Sequence, residues 1–72
     1  LKIDQSFVRQ ATTSHDQATI VAMVVEMGHS LGKDVVAEGV EAEDQVRFLR
    51  ALNCDYAQGL LFGPPLPAIA YA

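Results

Sequence analysis

VVAEGVE, residues Val35 to Glu41, is the stretch from which the rest of this 72-residue chain can be read. Three small apolar residues run without interruption into a carboxylate. An unbroken apolar run suits a strand buried on both faces, the signature of a parallel sheet. An ionised carboxylate is too costly to bury unpaired. Glu38 is therefore expected at the mouth of the sheet, facing a partner, a metal or water. In open parallel sheets and in barrels, that end is where chemistry is placed. A strand-end carboxylate that merely faces solvent is the plainer alternative.

Upstream of this run, the spacing predicts a helix over residues 17–31. Ile20, Met23, Val24, Met27 and Leu31 form one apolar stripe, widened by Val21 and Val25. Ser14 or Asp16 can cap its start, and Gly32 suits its end. A pair of methionines at this spacing reads as core filling. His15 and His29 read as solvent-facing, with His29 placed to interact with the helix dipole. Before the helix, Gln10–Ser14 is polar and small and reads as a loop. Phe7 and Val8 are expected to pack beneath the connection. Leu1–Asp4 alternates apolar and charged residues, as a half-buried strand does.

Downstream, Glu43, Asp44 and Gln45 open a second helix, with acidic groups at its electropositive end. Val46, Leu49 and Leu52 form its inner face, Phe48 covers its flank, and Asn53 stops it. Asp55–Gln58 reads as a third strand, turned by Gly59. Pro64, Pro65 and Pro67 argue against a regular strand or helix beginning in the tail. The expected order is β-α-β-α-β, with helices crossing between parallel strands.

Composition sets outer bounds. Seventy-two residues allow one unit at most, and the abrupt start reads as a piece cut from a larger domain. No apolar run is long enough to span a membrane, and no signal-peptide pattern appears. A formal charge of −4 argues against binding a nucleic-acid polymer. It leaves room for an anionic ligand if a metal supplies the positive charge. One cysteine, Cys54, permits no internal disulfide and suits a reducing, cytoplasmic setting.

Strand parity gathers the polar residues. Lys2 and Asp4 share one face of the first strand, Val36 and Glu38 one of the second, and Tyr56 and Gln58 one of the third. If these faces coincide, Lys2, Asp4, Glu38 and Gln58 meet at one mouth, where they can activate water or hold a metal. A Lys2–Asp4 or Lys2–Glu38 salt bridge that only satisfies strand ends is the alternative. No dinucleotide-binding glycine pattern, Cys/His metal spacing or nucleophile elbow occurs.

Three segments carry a resemblance: LKID-x-SFV at Leu1–Val8, LGKDVVAEGVE at Leu31–Glu41, and CDYAQG-x-LFGPPLP at Cys54–Pro67. Together they resemble the C-terminal part of the EAL domain, the bacterial phosphodiesterase family that hydrolyses cyclic di-GMP. The resemblance implies an α/β chain, a fragment of a TIM-like (β/α)8 barrel equivalent to strands six to eight. It implies hydrolysis to linear pGpG with two metal ions, Mg²⁺ or Mn²⁺. By position, Lys2 matches the active-site lysine that positions the attacking water, and Glu38 the glutamate proposed as general base beside the metals. Gln58 matches a glutamine of the metal-water site, and Asp4 and Glu41 match supporting acidic positions.

The EAL motif, an asparagine, a mid-barrel glutamate and paired aspartates are not among these residues, so most metal ligands lie elsewhere. Ala42 stands where the family usually has a capping threonine, Leu60 where an aromatic usually follows QG, and Asn53 where a glycine is usual. The expectation is one EAL-type unit over residues 1–72 whose parent is the enzyme while the segment alone is inactive. The rival is a degenerate EAL domain acting as a cyclic di-GMP receptor or dimerisation module, and a doubly wound α/β fragment is a third reading. Self-association or partner domains are expected; insertion into a membrane is not.

Overall fold

A computed structural model describes residues 1–59 in full and 63–67 by their backbone. Val36–Ala37 forms β2, the inner strand expected from VVAEGVE. It lies between β1, Lys2–Ile3, and β3, Tyr56–Gly59, and both pairings are parallel. The register aligns Lys2 with Val36 and Tyr56, and Ile3 with Ala37 and Ala57. Ile3, Ala37 and Ala57 are buried under the helices, whereas Lys2 is exposed and Val36 and Tyr56 are half-buried. Alternation thus gives the arc one core face and one open face.

Helix α2, His15–Ser30, crosses between β1 and β2, and α3, Glu43–Ala51, crosses between β2 and β3. Ser14 caps α2 through its hydroxyl, which accepts from the Gln17 N–H, so the helix starts one half-turn earlier than the apolar spacing indicates. Gly32 and Asn53 follow the two helices in the left-handed conformation, at φ 72° and 60°. The inner face of α3 is Val46 and Leu49 with Leu52 and Phe48 at its margin, as the spacing predicts.

Three expectations are corrected. A further helix, α1, spans Gln5–Ala11 and replaces the expected irregular connection. Asp4 caps it, its carboxylate accepting from the Ser6 N–H at 3.1 Å and hydroxyl at 2.6 Å. Seven residues are under two turns, too short for a period to show, and only Val8 and Ala11 are buried. Next, the buried face of α2 is Val21, Val25 and Gly28, while Ile20, Met23, Met27 and Leu31 are exposed. The methionines therefore do not fill a core among the described residues. Last, a strand β4 does form over Gly63–Pro67, antiparallel to β3. It is last in the sheet order, and an edge strand tolerates prolines because only one of its sides must supply donors.

Helix α3 shows what Ala42 costs. Its backbone has the extended geometry of an N-cap, φ −136° and ψ 153°, but a methyl group cannot accept a hydrogen bond. Only the reciprocal half of a capping box is present: Gln45 Oε1 accepts from the N–H groups of Glu41 at 2.7 Å and Ala42 at 3.2 Å. Ala42→Thr is expected to stabilise a folded protein carrying this chain by about 1 kcal/mol, read as a raised denaturant midpoint at constant slope. An unchanged midpoint would show that Gln45 already meets the need.

Candidate functional site

Glu38 follows β2 directly, and its placement is a backbone matter first. Its N–H donates to the Ile3 carbonyl at 3.0 Å, extending the β1–β2 ladder by one rung. Alternation from Ala37, which is buried, turns the Glu38 side chain to the open face. There its Oε1 lies 3.7 Å from Lys2 Nζ, with the two side chains 35% and 70% exposed. A pair this open and this long contributes little to stability. Lys2 and Glu38 are instead a cation and a carboxylate kept adjacent and reachable at the C-terminal end of a parallel sheet.

Gln58 follows the buried Ala57 in β3, where the β3–β4 register shifts between Ala57 and Gly59. Its carbonyl accepts from the Val40 N–H at 3.0 Å, which binds the loop after Glu38 to β3. Gly59 is required beside it: a β-carbon there would lie inside contact distance of the Val40 backbone. The glycine of AQG thus lets β3 approach the Glu38 loop rather than turning the chain, as its position at the end of a strand suggests. Val40 is fully buried and anchors that loop from below.

Asp4 and Glu41 are placed differently. Asp4 spends its carboxylate on the cap of α1, and the Ser6 hydroxyl and N–H hold its pKa below the ordinary value. Glu41 is exposed and accepts from the Gln5 amide at 2.9 Å. The structure therefore brings Lys2 and Glu38 together, ties the backbone of Gln58 to the loop after Glu38, and gives Asp4 and Glu41 partners of their own. Gln45 is read from the sequence only as a residue that opens the second helix, and Gln5 is given no role. Gln45 stands three residues after Ala42, the reciprocal capping position, and was legible as such. Gln5 carries no pattern of its own.

Among the described residues no three His, Cys, Asp or Glu side chains gather as a metal site would need. Glu38 is a half-buried hard oxygen donor that suits Mg²⁺ or Mn²⁺ as one ligand of several. Further ligands would have to come from other strands.

A second cluster lies at the opposite end of the sheet. His29, in the last turn of α2, places Nε2 2.6 Å from Asp55 Oδ2, and the Val35 N–H donates to the same oxygen at 2.8 Å. His29 is thus engaged, where the sequence suggested a free surface residue. Burial works against ionisation of Asp55, but the Val35 N–H and the His29 ring outweigh it and lower its pKa. A carboxylate with a depressed folded pKa contributes stability that is present above its unfolded value, about 4, and is lost as pH falls through the folded value. Asp55→Asn is expected to flatten the acid limb of a denaturant-midpoint profile between about pH 2 and 6. Parallel limbs for variant and parent would exclude a contribution. Cys54 beside this cluster is fully buried, and burial raises its pKa, so it is an inert packing group.

The EAL domain family model matches residues 1–65. The chain is 46% identical over 68 residues to the bifunctional diguanylate cyclase/cyclic di-GMP phosphodiesterase MucR of Pseudomonas aeruginosa, covering 94% of this chain and 10% of that protein. It is 41% identical over 70 residues to the cyclic di-GMP phosphodiesterase NbdA of the same organism, covering 97% of this chain and 9% of that protein. The fold superposes on the phosphodiesterase PaMucR in its c-di-GMP complex with a TM-score of 0.83 at 43% identity, covering 100% of this chain and 29% of that one. The chain therefore spans about a tenth of the length of these curated relatives. Its alternating strands and helices and parallel arc match those of the solved EAL structures, which are TIM-type barrels.

Proposed function

Since the chain belongs to the EAL domain family, we propose that it forms one wall of the catalytic mouth in a cyclic di-GMP phosphodiesterase. The observation that carries this reading is the Lys2–Glu38 pair at the C-terminal end of the parallel arc, on residues within the family match. The phosphodiesterases of this family are metal-dependent in general. A bound Mg²⁺ or Mn²⁺ would supply Lewis acidity for the phosphodiester and its attacking water. Glu38 would hold such an ion, directly or through water, with the remaining ligands from other strands.

The chain's own residues divide the work. Glu38 takes the proton of the water as its oxygen bonds to phosphorus and the bond to the leaving ribose oxygen breaks; that oxygen takes up a proton from solvent, giving linear pGpG. Lys2 orients that water and offsets developing negative charge. Gln58 supplies a hydrogen bond beside them, while Asp4 and Glu41 support the loops on either side. One domain, to which residues 1–72 contribute the C-terminal part, holds the substrate. A nucleotide messenger and a lone buried thiol favour the cytoplasm. No described helix is long and apolar enough to cross a membrane.

The test is a chimera in which this chain replaces the matching segment of the PaMucR phosphodiesterase. Hydrolysis of cyclic di-GMP to a linear product with Mg²⁺ is the expected result. Binding without turnover would favour a receptor, and neither binding nor turnover in a folded chimera would overturn the reading.

A further inference from the structure

Among the described residues, no hydrogen bond reaches the Glu38 carboxylate, and Lys2 Nζ at 3.7 Å is a loose neighbour. Glu38 is oriented through its backbone, and therefore through whatever fixes the turn Glu38–Ala42. Four elements hold that turn. The Ile3 carbonyl accepts from Glu38 N–H, the Gln58 carbonyl from Val40 N–H, and Gln45 Oε1 from the N–H groups of Glu41 and Ala42. The fourth is Gln5, in the first turn of α1.

Gly39 adopts φ 67°, and a β-carbon on it would lie inside contact distance of Cβ, Cγ and Cδ of Gln5. The stem of Gln5 therefore lies directly across the glycine. Its Nε2 then reaches past the turn to donate to Glu41 Oε1 at 2.9 Å. The contact covers the residue after Glu38, and the hydrogen bond closes over it. We infer that Gln5 is a positioning residue for Glu38: it clamps the Gly39 turn from above and so sets where the Glu38 carboxylate stands. The catalytic part of this inference rests on the phosphodiesterase reading; the clamp does not.

The clamp needs a donor at position 5. Gln5→Glu keeps the shape but sets a carboxylate against Glu41. Gln5→Ala removes both stem and donor. Gln5→Lys restores a donor on an apolar stem. In the chimera, Gln5→Glu and Gln5→Ala are expected to lower kcat on the order of 10-fold with little change in KM, because a displaced base costs the transition state and not binding. Gln5→Lys is expected to recover most of kcat. Amide hydrogen exchange across residues 38–42 reads the clamp without turnover, and it should quicken in Gln5→Glu and Gln5→Ala at an unchanged melting temperature.

Unchanged exchange in those two variants overturns the inference whether or not the chimera is active. Faster exchange with undiminished kcat overturns it too, since the turn would then not govern Glu38. Loss of the melting transition in both variants would make Gln5 a folding residue and likewise overturn it. If the unsubstituted chimera lacks turnover, the phosphodiesterase reading fails while the exchange result still decides the clamp.

Discussion

Glu38→Gln, placed in a complete barrel carrying this chain, is expected to lower turnover of cyclic di-GMP by roughly 10²–10⁴-fold while the nucleotide still binds. The amide keeps the size and reach of the side chain but cannot accept the proton of the attacking water. The backbone that presents it is held by Ile3, so the substitution should not move the strand. Lys2 loses only a partner at 3.7 Å, and the pair is open to solvent, so folding should be nearly indifferent. Turnover with Mg²⁺ and equilibrium binding of the nucleotide, measured on the same preparation, make the check. Turnover within a few-fold of the parent would show that Glu38 is not the base.

The 72-residue chain by itself is expected to show no hydrolysis and to self-associate. A two-metal site must hold both ions about 3.5–4 Å apart. Glu38 is the one acidic residue that the described structure sets free at the mouth, since Asp4 and Glu41 are engaged elsewhere. Association follows from what the fold leaves bare. Met23 is 64% exposed and Leu31 65%, and Ile20, Met27 and Phe7 add to the same apolar surface. Strand β1 pairs on one side only within the described sheet, leaving backbone donors and acceptors on the other. A contiguous apolar surface beside an open edge favours association. Sedimentation of the purified chain and a metal-supplemented hydrolysis assay check both halves. A folded monomer at high micromolar concentration sinks the edge argument, and measurable turnover sinks the requirement for other strands.

The exposed stripe on α2 also shows how periodicity can mislead. Ile20, Met23, Val24, Met27 and Leu31 have the better helical spacing, yet the helix turns Val21, Val25 and Gly28 to the sheet. Apolar spacing reports that a face is covered; it cannot say by what. Here Val21, Val25 and Gly28 lie on the strands and the larger side chains of the stripe point away, and at Gly28 the approach is so close that a β-carbon would meet Val35. The large stripe would meet neighbours outside the described residues.

From sequence alone came the parallel arc, the two crossover helices and the side of the sheet on which Lys2 and Glu38 meet. Each is set by local rules: an uninterrupted apolar run, a helical period, and the two-residue alternation that assigns every strand side chain to a face. Tertiary structure decided the rest. Helix α1 is too short to advertise a period and exists because Asp4 caps it and Val8 and Ala11 find the core. Strand β4 forms through its prolines because β3 offers it an edge. The partners of the polar side chains, Gln5 on Glu41, His29 on Asp55 and Asp4 on Ser6, depend on distances of a few ångströms. Two of these pairs join residues more than twenty positions apart, and such distances are set only when packing brings the elements together.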